Sequence, residues 1–359
     1  MELHHVYYPN EGPVGARYYG KTMLGCLEIT KQATQLCLDA IDAVPFSGRG
    51  SCFRIADFGA ADGGNSMALV KLLIGVIPKP ESYLIAHPDV RVFASGTSFY
   101  KQCFSNNSIQ FGFCMSGMFV LSRLYLSMSA LPFISRPCNI TDGLHSTEIT
   151  VAEEREMFKR QAAEDWENIL VHRARELQPG ARLVIANYAA DADNQSMGRT
   201  KRIKHNMFKH MTDKCRTLMD EGIITKKEFQ NMNVKTYFRT EKELEKPLIN
   251  ADSPVYKLGL RLESIEIKLV NCYFYDRWLA SGIDGNAAAA RAHAQSYVRS
   301  IHIWGRNVLL QGLSDIRTPH EKAKIVDAFF QSYEDDVAKH PRDHGKDYVI
   351  AYLHIKKLE

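Results

Sequence analysis

The sequence predicts an α/β fold, in which a parallel sheet carries helices on its faces and a helical cap lies over one edge. Three observations predict this class. Residues 20–80 have the pattern of a helix, a strand, a glycine-rich turn and a second helix, which is how a parallel α/β sheet begins. Further strand-like stretches follow up to residue 188. Residues 195–250 are helical in pattern and highly charged, so we expect an insertion that lies outside the sheet.

The predicted elements follow in order along the chain. Apolar residues recur at helical spacing over residues 24–43, and residues 53–58 form a short strand that runs into Gly59. Helical spacing resumes at Met67 and ends before Pro78. The remaining predicted elements are strands at 83–86, 109–114 and 182–188, a helix at 151–177 with a stop signal at Gln178-Pro179-Gly180, late strands at 261–274 and 348–356, and a helix between these at 287–312.

Length and composition are those of one compact globular unit. The chain has 359 residues, of which 45% are hydrophobic and 24% are charged, and this excludes disordered, collagen-like and coiled-coil chains. No hydrophilic linker interrupts it. We therefore divide the chain into an α/β core, residues 1–194 and 256–359, and a helical cap over the substrate pocket, residues 195–255. A net charge of +4 is too small to indicate nucleic-acid binding.

The cysteines and the first residues point to the cytoplasm. The 8 cysteines are scattered and never form a C-x-x-C pair, which is typical of reduced, mostly buried thiols. The first residues lack a basic segment followed by an apolar one, so we expect no secretory signal. The apolar stretch 111–134 is long enough to suggest a membrane span, but it contains Arg123 and Pro132. We interpret it as a buried strand that leads into a core helix.

The glycine-rich turn carries the main functional signal. Its small residues permit a tight bend and a close approach of ligand to backbone, in the order Asp57-x-Gly59-x-Ala61-x-Gly63-Gly64-Asn65. The turn has neither the lysine of a P-loop nor the glycine pattern of a dinucleotide site. An acidic residue two places before the first glycine is characteristic of S-adenosylmethionine (SAM) methyltransferases, whose cofactor carries an ammonium and a sulfonium. A strand-to-helix turn without a ligand would also fit this pattern.

Four stretches resemble one known family. They are IADFG…GN within residues 55–65, GTSFY…SIQF within 96–111, QAAEDWENILVHRARELQPGARLV at 161–184 and LMDEGII at 218–224. In this order they resemble the SABATH methyltransferases, the SAM-dependent salicylate, benzoate and jasmonate carboxyl methyltransferases and their caffeine-synthase relatives. The similarity runs from about residue 15 to the carboxyl terminus. It implies a Rossmann-like class I SAM methyltransferase sheet with an α-helical cap, and a homodimer.

The resemblance also implies which residues bind SAM. From the amino-acid end of SAM to its adenine they are Asp57, Gly59 and Asn65, then Asp89 at the ribose, then Ser98 and Phe99 at the adenine. Asp89 also lies where comparable folds place a ribose-binding acid, about 20 residues after the turn, although Pro-Asp is an ordinary turn sequence as well. Tyr19 matches a tyrosine of the family's amino-terminal S-Y-A segment.

The substrate positions depart from the family pattern. The substrate glutamine of the family is Cys26 here, its tyrosine is Ser116, and the tryptophan that anchors the carboxylate is Val120. Aromatic residues, which would fit an ordinary core equally well, stand at further positions of the pocket and cap: Phe119, Phe208 and Tyr237. These changes predict a pocket that is reshaped for another acid or for another nucleophile.

The stretch between Asp89 and Ser98 is short by about a helix and a strand when compared with the family. Residues 83–86 and 90–94 both look like strands, yet only residues 87–89 separate them. Parallel neighbours need a crossover of a dozen or more residues. One of the two is therefore a loop, or the sheet lacks an edge strand. A splice variant, an incomplete gene model or a reduced enzyme would each give this pattern.

We expect methyl transfer to a carboxylate oxygen of a small acid without a general base. A carboxylic acid with a pKa of ~4 is already ionised at neutral pH, and no convincing catalytic triad or dyad is present. Two other hypotheses stay open. Loss of the carboxylate-anchoring residues would suit an N-methyltransferase of a small heterocycle, and the short stretch after Asp89 would suit a catalytically silent SAM-binding protein.

We expect no metal, nucleic acid or membrane partner. The segment His340-Pro341-Arg342-Asp343-His344 has the residue types of a metal site but lacks the spacing of a strand or a helix. The basic run 201–214 is interrupted by apolar residues at helical spacing, so it predicts an amphipathic cap helix.

Overall fold

The computed structural model describes residues 22–46, 52–59, 65–76, 95–122, 140–282 and 285–359. Within them the helices are α1 (Leu24–Asp42), α2 (Met67–Val76), α3 (Ala152–Glu176), α4 (Met207–Asp220), α5 (Lys226–Asn231), α6 (Glu241–Ile249), α7 (Pro254–Lys257), α8 (Tyr273–Ser281), α9 (Ala287–Gly312) and α10 (Pro319–Lys339). The strands are β1 (Ile55–Asp57), β2 (Ile109–Met115), β3 (Leu177–Ala190), β4 (Arg239–Thr240), β5 (Leu260–Val270) and β6 (Tyr348–Lys357).

The strands form one mixed sheet in the order β1-β2-β3-β6-β5, and β4 pairs with the end of β3. The first three strands are parallel, with Ile55 opposite Phe111 and Phe113 opposite Val184. Strand β6 is antiparallel to both β3 and β5. The carboxyl ends of β1, β2 and β3 therefore meet at one edge, where parallel sheets bind their ligands. Asp57 lies at this edge.

Helices cover both faces of the sheet. Along β3, Val184, Ala186 and Tyr188 belong to the core on the face of α1, and Leu183 and Ile185 belong to the core on the face of α3. Because both faces are covered, the central strands are apolar throughout and show no alternation of polar and apolar residues.

The helices after residue 195 pack on two different surfaces. Helix α4 packs on α10, α5 packs on α9, and α9 and α10 lie along each other. Helices α6 and α7 instead pack on β5 and α3, beside the sheet. These contacts divide the residues of the predicted cap, 195–255, between the two surfaces. Helices α4, α5, α9 and α10 pack together, and we call them the helical layer. The division of the chain into a core and a cap stays a prediction.

Most of the predicted elements are confirmed within a few residues. The helix predicted at 24–43 is α1, and the strands predicted at 109–114 and 348–356 are β2 and β6. The helix predicted at 151–177 is α3, but no loop follows it. Gln178-Pro179-Gly180 ends the helix and also forms the first part of β3, where Gly180 has a φ of +79° and the pairing with β2 shifts register.

Two predictions about the late elements are wrong or incomplete. The strand predicted at 261–274 ends at Val270, because Tyr273 begins α8. Helix α10 was not predicted. The strand-like residues 83–86 and 90–94 lie outside the described residues, as does most of the helix proposed within 111–134. In the parts of the chain that the structure describes, no helix is both long and apolar enough to cross a membrane.

Candidate active site

The turn after β1 brings separate parts of the chain together. Phe58 donates its N–H to the Phe113 carbonyl at 2.8 Å, so the pairing of β1 with β2 continues for one residue. Gly59 then has a φ of +88°, a left-handed conformation that glycine adopts without strain. A Cβ on Gly59 would lie 3.6 Å from Gly117 Cα and 3.7 Å from the Phe99 ring. The predicted cofactor residues Gly59 and Phe99 are therefore neighbours.

Asp57 ends β1 with a partly buried carboxylate. Burial raises the pKa of this carboxyl to about 6, and a hydrogen bond from Ser66, just before α2, acts against that shift. No cation among the described residues contributes to this pKa. Asn65, the next predicted residue, precedes Ser66, whereas residues 60–64 lie outside the described part. The ammonium of a ligand would stabilise the charged form of Asp57.

A buried ion pair holds the segment that carries Ser98 and Phe99. Arg173 Nε donates to Glu176 at 2.6 Å, and both side chains are fully buried. Arg173 also donates to the Phe99 carbonyl at 2.8 Å, and Glu176 accepts hydrogen bonds from the backbone N–H groups of residues 103–104. Our sequence reasoning gave this pair no role. Its spacing of three residues at the end of a helix was the available signal.

Five rings pack together between the sheet and the helical layer. We call them the aromatic cluster, and they are Phe119, His145, Tyr188, Phe208 and Phe238. The ring centroids of Phe119 and Tyr188 are 4.5 Å apart, edge to face, and His145 stacks on Phe208 at 3.8 Å. Phe238 lies 4.8–6.4 Å from each of the other four. The cluster thus contains two of the predicted substrate residues, Phe119 and Phe208.

Two further predicted substrate residues lie beside Tyr188. Cys26 Sγ, on α1, is 3.4 Å from the Tyr188 hydroxyl, and the Ser116 hydroxyl is also a neighbour of that group. Ser116 has a φ of +64°, so the chain turns sharply at the end of β2 and leads into Gly117. Because Gly117 lies against Gly59, residues 116 and 117 connect the glycine turn with the aromatic cluster.

Val120 and Tyr237 lie apart from the aromatic cluster. The Val120 carbonyl accepts a hydrogen bond from the Tyr100 hydroxyl. Tyr237 shares a hydrogen bond of 3.0 Å with Glu243, and its ring packs on a separate apolar group beside the amino-terminal half of α3. It is Phe238, one residue further along, whose ring joins the cluster.

His145 is buried and neutral. The Thr147 N–H donates to Nδ1 at 3.1 Å, so Nδ1 carries no proton, and Nε2 donates to the Thr236 hydroxyl at 2.8 Å. Burial lowers the pKa of His145 to about 3. Because both ring nitrogens are hydrogen-bonded within the protein, His145 is not placed to take a proton from a substrate.

Sequence reasoning missed His145, Tyr188 and Phe238. Tyr188 stood at the end of a predicted parallel strand, and that position was a usable signal for a ligand site. Neighbours in an extended segment point to opposite sides, so only one of Tyr237 and Phe238 can face the site. The sequence does not indicate which of the two it is. His145 lies in a loop without any pattern.

Some predicted features cannot be placed. Tyr19 and Asp89 lie outside the described residues. Within the described residues, no group of histidine, cysteine, aspartate and glutamate is arranged to hold a metal ion. His344, from the segment with metal-like residue types, packs against His205 and His210 instead.

Comparisons with known proteins identify the family and the fold. A family model described as SAM dependent carboxyl methyltransferase matches residues 81–358. A solved structure, a loganic acid methyltransferase with SAH, is 16% identical to this chain with a TM-score of 0.68, and the match covers 98% of this chain and 99% of that chain. This likeness shows the fold, which is that of the class I SAM methyltransferases.

Other comparisons add little. A geranyl diphosphate methyltransferase in complex with GPP and sinefungin is 8% identical with a TM-score of 0.34, covering 91% of this chain and 77% of that chain, and a similarity this low supports no argument. A sequence search of curated proteins finds no match.

Proposed function

The chain belongs to the family of SAM-dependent carboxyl methyltransferases, and from this premise we propose how its residues methylate the carboxylate of a small organic acid. The main support is the junction at residues 116 and 117. Gly117 contacts the glycine turn at Gly59, and Ser116 contacts the aromatic cluster at Tyr188. A cofactor at the turn and an acid at the cluster would therefore meet at the carboxyl edge of the sheet.

The residues of the turn fit SAM. Asp57 offers a partly buried carboxylate whose pKa is raised by burial, and the ammonium of SAM would supply the missing cation. Gly59 has the left-handed backbone that lets a ligand approach closely. We propose that SAM is held, from its amino-acid end to its adenine, by Asp57, Gly59 and Asn65, then Asp89, then Ser98 and Phe99, and that Tyr19 is a further cofactor contact.

The chain needs to align its two substrates and to exclude water. SAM, when bound, supplies a methyl group on a sulfonium. An acceptor carboxylate is already ionised at neutral pH, so no residue has to remove a proton, which agrees with the fully hydrogen-bonded His145. Holding the oxygen in line with the methyl group can contribute up to ~7–11 kcal/mol to catalysis.

We propose that the aromatic cluster binds the apolar body of the acceptor. Cys26, Ser116, Phe119 and Phe208 are brought together around Tyr188, and such ring surfaces favour an apolar acid. Val120 and Tyr237, also predicted as substrate residues, make no contact in the structure that supports this role.

We propose further that the protein works in the cytoplasm as a homodimer and without membrane partners. Cysteines present as thiols among the described residues support a reducing compartment: Cys26, Cys37, Cys52, Cys103, Cys114, Cys215 and Cys272. The homodimer is supported by the family resemblance alone.

Methyl transfer from labelled SAM to a panel of aromatic, fatty and terpenoid acids tests the proposed reaction. We expect a base-labile product, a methyl ester, from at least one acid. Calorimetry with S-adenosylhomocysteine (SAH) is run beside it, and Asp57→Asn should lose most of the affinity for SAH. A base-stable product would favour N-methylation, and no SAH binding by the wild type would refute an active enzyme.

A further inference from the structure

Lys346 is a buried cation just before β6. Its side chain is among the largest fully buried ones, with a relative exposure of 1%. Its Nζ donates to the Ser300 hydroxyl at 3.1 Å and to the Ser300 carbonyl at 3.3 Å. Ser300 lies on α9 and is itself buried. Because an ammonium has three N–H groups, one donor of Lys346 has no hydrogen-bond partner among the residues that the structure describes.

No carboxylate among the described residues lies within ion-pair distance of Lys346. Its neighbour Asp347 is engaged elsewhere, by Arg202 at 2.5 Å and by the Cys272 N–H at 2.8 Å. Burial accordingly lowers the pKa of Lys346 to about 8. Burying a cation without a counter-ion is costly, so the site favours any ligand that brings a negative charge.

This cation lies beside the predicted acceptor site. Its Nζ is 5.8 Å from the centre of the Tyr348 ring, and Tyr348 stacks on Tyr188 of the aromatic cluster at 5.7 Å. Cys26, at the position of the family's substrate glutamine, contacts Tyr188 at 3.4 Å and is near enough to influence the charge of Lys346. The ammonium and the predicted substrate residues thus form one contiguous group.

We propose that Lys346 is the counter-ion that binds the carboxylate of the acceptor. This rests on the proposed function. The family's substrate glutamine and its carboxylate-anchoring tryptophan are replaced by Cys26 and Val120, and a valine side chain cannot donate a hydrogen bond at all. In a pocket of aromatic rings an anion without a partner would be strongly disfavoured, and Lys346 removes that penalty. It therefore makes the site selective for acids over neutral analogues of the same shape.

The test compares the acid that is methylated best in the screen, or the one that binds most tightly if none is methylated, with its carboxamide. Calorimetry in the presence of SAH measures the binding of both probes, and steady-state assays give KM and kcat for the acid. We expect Lys346→Met to weaken binding of the acid ~10–100-fold and to raise its KM similarly, while binding of the carboxamide stays unchanged. Ser300→Ala is the matched control, because it removes a structural partner of the ammonium and should keep most of the preference for the acid.

The wild type alone provides a second test, should Lys346→Met fail to fold. Affinity for the acid should fall as the pH rises through about 8, whereas affinity for the carboxamide should not. The titratable groups that face Lys346 are Cys26, Cys272 and Tyr348, and burial raises the pKa of Cys272 and of Tyr348. Asp347 adds a charge that Arg202 already pairs.

The outcomes separate this proposal from the proposed function. Ester formation by Lys346→Met with an unchanged KM, or equal losses for acid and carboxamide, would overturn the role of Lys346 only. An acid that binds the wild type in a pH-dependent way but yields no ester would overturn the proposed reaction and support the counter-ion.

Discussion

Tyr237 and Phe238 are adjacent in the chain but serve different parts of the molecule. Tyr237 packs beside α3 and shares a hydrogen bond with Glu243, while Phe238 touches every other ring of the aromatic cluster. A family resemblance points to the segment, but the backbone decides which of the two residues faces the site. Substrate contact and structural support can therefore be separated by substituting one residue at a time.

We expect Phe238→Leu to raise the KM for the acceptor roughly two- to tenfold, because an aromatic contact is worth about 0.5–1.5 kcal/mol beyond its buried area. Tyr237→Phe should leave KM unchanged and lower the free energy of unfolding by about 1 kcal/mol through the lost hydrogen bond to Glu243. Steady-state kinetics and urea denaturation of both variants measure these effects. A larger change in KM for Tyr237→Phe than for Phe238→Leu would assign the pocket to Tyr237.

The sequence could predict the glycine turn after β1 because its pattern is local. Asp57 and Gly59 lie two residues apart, so the acidic residue and the glycine that adopts a positive φ can be recognised in one short stretch of sequence. The substrate side depends on contacts between distant segments. Cys26 and Tyr188 are separated by 162 positions, and Lys346 comes near them only because β6 returns beside β3. No local pattern records such an arrangement, so Lys346 could not have been predicted.

At the scale of the elements, helices α5 and α10 both begin with a capping box, but the two boxes have different surroundings. Thr225 and Glu228 form a capping box at α5, and Thr318 and Glu321 form one at α10. Glu228 is buried and also accepts hydrogen bonds from Arg317 at 2.6 Å and from the Ser314 N–H at 2.9 Å. These contacts with Arg317 lower the pKa of Glu228 to about 2. Glu228 therefore ties α5 to the segment that leads into α10.

Because of this difference, Glu228→Ala and Glu321→Ala should have unequal effects. We expect Glu228→Ala to lower the free energy of unfolding by ~2–4 kcal/mol, since it removes one half of the capping box and a partly buried ion pair, while the Thr225 cap remains. Glu321→Ala removes only the exposed half of a capping box and should cost clearly less. Urea denaturation at neutral pH gives both values. Equal losses would mean that the contact with Arg317 contributes nothing to stability.

The sequence predicted most elements, and two of the differences, the missed helix α10 and the missing loop after α3, have different origins. Helix α10 was recognisable, because Val326, Phe329, Tyr333 and Val337 recur at helical spacing after the cap at Thr318. The direct passage from α3 into β3 was not, since Pro-Gly favours a turn. There Leu177 pairs with Ile109 of β2 and the pairing resumes at Arg182, so the Pro-Gly turn forms a bulge with Gly180 at a φ of +79°. Pairing on both sides of the bulge thus places the local turn inside a strand.

At the scale of the whole molecule, buried histidines connect the helical layer with the sheet. His210 lies on α4, and His344 lies in the loop before β6, with 5.0 Å between their ring centroids. His145 stacks on Phe208 of α4 from a third segment. Burial lowers the pKa of all three, to about 4 for His210 and about 3 for His344 and His145. Asp336 and Lys214 also lie close to His210 and act in opposite directions.

The lowered pKa values of these three histidines predict that acid destabilises the fold. Between pH 6.5 and about 4 the unfolded chain protonates the three histidines and the folded protein does not, so the free energy of unfolding falls as the pH falls. From pH 7.5 to 5.5 we expect a loss of roughly 1 kcal/mol for each histidine. Urea denaturation at both pH values measures this loss. His344→Asn should lose less than the wild type, while His320→Asn, at an exposed position in α10, should behave as the wild type. If His344→Asn and the wild type lose the same stability, His344 is not one of the groups that couple the fold to pH.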